Sequence, residues 1–245
     1  MRMIVVIGCL ISGIFIGGVV VSGQGNPTQL FLPLLRTAGE APAENPLRTG
    51  RATYYAATGA GNCSFPATPT DLMVAAISHE DYGSADYCGA YVEVFGPTGT
   101  VVVRIVDKCP DAQCTAGHLD LSQEAFAQIA PLERGIVPIT WRVISPPLSE
   151  PIAYHFKEGS NQWWTAVQVR NHRNPLARLE YRNSSGAWIN ASRVDYNFFL
   201  EDRGMGPGPY TFRVTDIYGN VLEDAGIPFV EGGVIPGTGQ FPVGP

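Results

Sequence analysis

TVVVRIVDKCPDAQCTAGHLDLSQEAFAQI, residues 100–129, is the stretch whose reading decides the fold. It begins with TVVVRIVD, a β-branched run that reads as a strand. It ends in SQEAFAQIA, the one clear helix of the chain. Ser122 is a good N-cap, Glu124 suits the positive first turn, and Leu121 can staple to Phe126 across the cap. Pro131 stops the helix. Between strand and helix lie Cys109, Cys114 and the run HLDL. Leu119 and Leu121 should point inward there, which turns Asp120 to the opposite face.

Working outward, the neighbouring runs are also strands: RATYYA, MVAAIS, AYVEVFG and IVPITWRVI, with GPTG at Gly96 to Gly99 as a hairpin turn. Five or six strands and one helix predict a small closed β-barrel over residues 50–145. The proline-rich SPPLSEP follows, and residues 146–151 read as a short, stiff linker. Residues 152–228 read as strands throughout: AYHFKEG, WTAVQVRN, ARLEYRN, AWINASRV and YTFRVTD. With SSG and YGN as turns, they fit a β-sandwich of Ig-like size. The fold class is therefore all-β.

The ends read differently. Residues 1–23 hold a basic start and a long uncharged run, which reads as a secretory signal or an uncleaved membrane anchor. Residues 24–49 are rich in proline, alanine and small polar residues and read as a flexible linker. An apolar island, QLFLPLL, lies within them. Residues 229–245 are rich in glycine and proline and read as a disordered tail.

Composition narrows the classes of function. The 245 residues carry a net charge of −6, which speaks against a nucleic-acid partner. Of the five cysteines, Cys9 lies inside the N-terminal apolar run. The other four, Cys63, Cys88, Cys109 and Cys114, suit two disulfides in an exported chain. Three pairings exist; Cys63 with Cys88 and Cys109 with Cys114 is favoured, the second closing a short loop. A zinc site is the rival reading, but paired CxxC spacings are missing. No metal or cofactor is expected.

Candidate site residues fall in two groups. In the barrel they are Thr53, Tyr54, Tyr91, Asp107 and Asp120, with His118 placed to tune Asp120. Asp120 could instead be an ordinary helix N-terminal charge, and Asp107 a turn residue. Partial burial would raise the Asp120 pKa and make it a proton donor. In the second domain the signal is aromatic: Trp163, Trp164 and Tyr196, with Lys157 nearby. Flat rings stack on sugar faces, but the tryptophans could equally be core residues. Strand alternation would put them on opposite faces unless the backbone turns there.

RATYYA, AYVEVFGPTG, VDKCP, HLDLSQEAF, ITWRVISPP, KEGSNQWWTAVQVRNHRNP, EYRNSSGAWIN and VDYNFF together resemble the bacterial expansins. The resemblance implies a six-stranded double-psi β-barrel with a short helix, then an Ig-like carbohydrate-binding module of the family-63 type. It matches Asp120 to the family's essential aspartate, and Asp107 and Thr53 to groove residues. It matches Trp163, Trp164 and Tyr196 to a cellulose-binding platform flanked by Lys157. The implied protein is secreted, monomeric and non-hydrolytic, and loosens wall polysaccharides by binding cellulose or a related β-glucan; peptidoglycan is a further candidate ligand. Two departures stand out. Many bacterial members carry a tyrosine where this chain has Cys109. The related family-45 glycoside hydrolases carry a base aspartate where Tyr54-Tyr55 is followed by Ala56. Rival readings are a lytic transglycosylase or glycoside hydrolase with Asp120 as the acid, and a protease inhibitor.

Overall fold

A computed structural model describes residues 45–245. The signal or anchor, Cys9, QLFLPLL and most of the expected linker lie outside the described residues. The part of that linker that is described is not loose. Arg48 to Thr49 already belong to the first strand, and Asn45 donates to the Val143 carbonyl (2.9 Å).

The first domain has strands β1 (Arg48–Tyr55), β2 (Val74–Ser78), β3 (Tyr91–Phe95), β4 (Thr100–Cys109), β5 (Leu119–Ser122) and β6 (Val137–Ile144). They close into a six-stranded barrel in the order β1-β5-β2-β4-β3-β6. The pairs β1–β5 and β2–β4 are parallel, and the remaining pairs are antiparallel. Alternation drives the closure: Val92 and Val94 of β3, Val101, Val103 and Ile105 of β4, and Val137, Ile139 and Trp141 of β6 all face inward.

Two helices accompany the barrel, α1 (His79–Tyr82) and α2 (Gln123–Ile129). In α2 the Ser122 hydroxyl accepts from the Ala125 N–H (3.0 Å), and Leu121 and Phe126 are both buried in the core. The cap and the staple thus act together to fix where β5 ends and α2 begins. All four described cysteines form disulfides, Cys63–Cys88 and Cys109–Cys114.

The second domain has β7 (Ala153–Phe156), β8 (Thr165–Arg170), β9 (Leu176–Arg182), β10 (Trp188–Arg193), β11 (Phe199–Glu201), β12 (Tyr210–Asp216), β13 (Val221–Ile227) and β14 (Val234–Pro236). Their hydrogen-bonded order is β13-β12-β9-β10-β11-β8-β7-β14. The β13–β10 half folds over the β11–β14 half as a sandwich. Tyr154 of β7 stacks on Phe212 of β12 (4.8 Å), although four strands lie between theirs in that order.

The tail corrects the sequence reading. Residues 229–245, expected to be disordered, return to the sandwich. Val234 to Pro236 pair with β7, Phe241 is buried, and Asp224 accepts from the Thr238 N–H (2.8 Å). Glycine and proline mark turns in this segment, while Ile235 and Phe241 supply enough apolar surface to hold it down.

The two domains are joined by more than the linker. The Cys63 carbonyl accepts from both Gln168 (2.8 Å) and Asn197 (3.1 Å) of the sandwich, and both side chains are buried. Ser145 donates to Asn174 (2.6 Å).

Candidate functional site

Strand register builds the barrel site. Thr53 of β1 lies opposite Asp120 of β5, Asp120 opposite Ala76 of β2, and Ala76 opposite Asp107 of β4. Four adjacent strands therefore place Thr53, Asp120, Ala76 and Asp107 in one row. The Thr53 hydroxyl donates to Asp120 Oδ1 (2.6 Å) and stands 2.9 Å from His118 Nε2. A hydroxyl has one proton, so His118 must supply its own at Nε2. The relay runs His118 to Thr53 to Asp120.

Burial decides the charges. It raises the Asp120 pKa above the usual carboxylate range; the Thr53 bond and His118 oppose that rise, and Asp111 and Asp107 reinforce it. Burial also lowers the His118 pKa, which keeps the imidazole neutral near pH 7. A cavity of about 410 Å³ opens on Thr53, His118 and Asp120, walled by the loop that the Cys109–Cys114 disulfide closes. Asp107 has a different setting. Its Oδ1 accepts from the backbone N–H groups of Asn62 (2.6 Å) and Lys108 (2.8 Å).

Two expected groove residues lie elsewhere. Tyr54 faces the opposite way from Thr53, packs on the barrel core, and meets the Phe126 ring of α2 (4.9 Å). Alternation forces this, since a neighbour of Thr53 in a strand cannot share its face. Tyr91 stands on β3 in register with Arg104 and Ile144. The charges that act on it are Arg104 and Asp71, not Asp107 or Asp120. In their place the structure puts Tyr55, two residues beyond Thr53, against Ala76 and the Cys109–Cys114 pair. The i, i+2 spacing carried that signal.

The aromatic site is built on a turn. Asn161 Oδ1 accepts from the N–H groups of Trp163 (2.9 Å) and Trp164 (3.2 Å), folding the backbone back before β8. This is the departure from strand alternation that two neighbouring tryptophans need. Trp163 is 71% exposed, and Trp164 is half-buried. Gly204 abuts this turn at positive φ, so close to Gln162 and Trp163 that a side-chain carbon would overlap them. Lys157 directly follows β7 and donates its N–H to the Ala166 carbonyl of β8 (3.0 Å). Tyr196 lies on the turn between β10 and β11, its ring 5.8 Å from that of Phe198.

One residue outside the candidate site residues of the sequence reading links the two sites. Asn62 gives its backbone N–H to Asp107 and its side-chain amide to the carbonyl of Asp195, the neighbour of Tyr196 (2.9 Å). Tyr82 donates to the same carbonyl (2.6 Å). The groove is thereby tied to the turn that carries Tyr196.

Comparison with known proteins agrees with this geometry. The family model described as lytic transglycolase matches residues 48–141, the span of the barrel. Expansin-YoaJ of Bacillus subtilis (strain 168) is 38% identical over 210 residues, 82% of this chain and 89% of its own. The papain inhibitor of Streptomyces mobaraensis is 38% identical over 117 residues, 44% of this chain and 80% of its own. Crystal structures of the Clavibacter michiganensis expansin, apo and as a mutant in complex with cellohexaose, superpose with a TM-score of 0.73 at 36% identity, covering 80% of this chain and 98% of theirs. With the barrel, the sandwich and a relative matched along nearly its whole length, the chain belongs to the expansin family.

Proposed function

We propose that the protein is exported and loosens cell-wall polysaccharide without hydrolysing it, gripping cellulose or a related β-glucan. The aromatic turn adsorbs to the polymer, and the groove row takes a single chain and disturbs its contacts with neighbours. The observation that carries this reading is the Asn62 bridge, which holds the groove in a fixed relation to the Tyr196 turn. A tool that loosens contacts needs that fixed relation to transmit strain from one glycan contact to the other. The complex of the Clavibacter michiganensis expansin with cellohexaose supports the ligand class. Stacking contributes about 1 kcal/mol per ring beyond area burial, so three rings give adsorption that remains reversible.

Two carboxylates in one row invite a hydrolytic reading, and their roles argue against it. Asp120 and Asp107 lie two strand spacings apart, about 9–10 Å between backbones. A retaining nucleophile and its acid stand roughly 5 Å apart, so that spacing leaves only an inverting pair, at roughly 6.5–9.5 Å, which needs a second carboxylate free to activate water. Asp107 is also held by two backbone N–H groups, a clamp for Asn62 and not a free base.

The deciding experiment compares soluble product release with mechanical creep of a cellulose sheet, for the native chain and Asp120→Asn. Creep without new reducing ends, lost in the variant, is the expected result; steady Asp120-dependent release of sugars would overturn it. A second reading has one specific support. The raised Asp120 pKa and the lytic transglycolase family model fit a lone-acid transglycosylase. Release of anhydro-sugars from peptidoglycan would favour that reading instead. Export is checked by fractionating cells that express the full chain.

A further inference from the structure

The groove row holds polar groups, yet a sugar ring also needs an apolar surface to lie on. Among the described residues Tyr55 meets that need. Alternation along β1 turns it to the face of Thr53. There it packs on Ala76, Cys109 and Cys114, a small apolar cluster separate from the barrel core. Ala76 is the residue in register with both Asp120 and Asp107, so Tyr55 seats itself at the gap between the two carboxylates. Only a residue as small as alanine leaves room there for a ring. Tyr55 is half-buried, and its hydroxyl is enclosed without a hydrogen-bond partner. Its accessible part is therefore ring carbon and not phenol oxygen. Burial, Asp107 and Asp120 all push its pKa up, so the ring stays neutral.

We propose that Tyr55 is the stacking floor of the barrel groove, on whose face a pyranose ring of a β-glucan chain lies while Thr53, Asp107 and Asp120 engage its hydroxyls. Flat aromatic carbon suits the apolar face of such a ring, and flanking carboxylates accept from its equatorial hydroxyls. The Cys109–Cys114 pair is the backing that keeps the ring from sinking. This inference rests on the reading of the groove as a glycan site, and its test separates the two.

Three variants of the full chain decide it, each assayed for creep of a cellulose sheet, for adsorption to cellulose, and by NMR for shifts of barrel amides on adding soluble cello-oligosaccharide. Tyr55→Phe keeps the flat face and removes an unpaired hydroxyl, so creep and barrel shifts persist and the melting temperature holds or rises. Tyr55→Leu fills the space without a flat face. Groove affinity falls about 5-fold or more and creep drops with it, while adsorption through the tryptophans is unchanged. Tyr55→Met, which adapts its shape to the same space, gives the same reading should the leucine variant fold poorly. Native-like creep in the Leu or Met variant, with Asp120→Asn inactive, overturns the role of Tyr55 and leaves the groove standing. Equal loss in Tyr55→Phe shifts the role to the hydroxyl and overturns stacking. Full creep in Asp120→Asn removes the groove reading and the Tyr55 floor together.

Discussion

In the barrel, paired strands set Thr53 and Asp120 side by side, half-buried, with His118 buried next to them; in the sandwich, Trp163 stands 71% exposed on a turn. The first arrangement fixes hydrogen-bond donors and acceptors at known separations. That suits reading the hydroxyls of one chain. The second presents flat apolar area with few directional demands, which suits adsorption to an extended polymer face. Precision costs burial of polar groups, so it is placed where strands can enforce register. Adsorption costs exposed tryptophan, so it is placed on a turn supported from behind by Gly204 and Asn161.

If this division is right, substitutions should separate the two activities. Asp120→Asn should bring creep to background and leave cellulose pull-down unchanged. Trp163→Ala with Trp164→Ala should weaken pull-down about 100-fold, from two stacked rings and their buried area, with the fold intact by circular dichroism. Unchanged pull-down would mean that adsorption lies elsewhere on the chain.

The junction between the regions should be the acid-sensitive point. His172 of the sandwich is fully buried against Gly89 of the barrel, and burial depresses its pKa to about 4, with Arg193 and Arg104 nearby adding to the effect. A folded pKa below the unfolded value means stability is present above pH 6.5 and is lost as pH falls through about 4. The loss should approach 3 kcal/mol on the scale of 1.36 kcal/mol per pKa unit. Calorimetry from pH 7 to 4 on native chain and His172→Gln measures it, and the variant should show a flatter acid limb.

A smaller effect should come from one glycine in each region. Gly61 abuts the Asp107 side chain, so Gly61→Ala displaces the carboxylate that holds Asn62. Gly204→Ala displaces the tryptophan turn. Each should cost about 1–3 kcal/mol of stability. The first should impair creep selectively and the second adsorption.

The smallest effect is a pH-dependent one on Asp120 itself. Its folded pKa is raised, so the native state holds the proton more tightly than the unfolded chain, and native stability falls as pH rises through that window. Asp120→Asn does not titrate. Its melting temperature should exceed the native value at pH 7, and the gap should close below the ordinary carboxylate range.

The sequence by itself was enough for the architecture. β-branched runs, the GPTG turn, and the Ser122 cap with its Leu121–Phe126 staple are local signals, and local signals survive without coordinates. It was also enough to single out Asp120, Asp107, Thr53 and the two tryptophans, since unusual polar or aromatic residues stand out in apolar strands. Alternation, applied strictly from Thr53, would have chosen Tyr55 over Tyr54. Only the tertiary structure decided which strands became neighbours, because register between β1, β5, β2 and β4 depends on how the barrel closes. That closure joined Thr53 to His118 and Asp120 across more than sixty residues and set Tyr91 aside. It was also the structure that returned the tail to β7 and made Asn62 a bridge. Both rest on long-range hydrogen bonds and packing, for which composition carries no record.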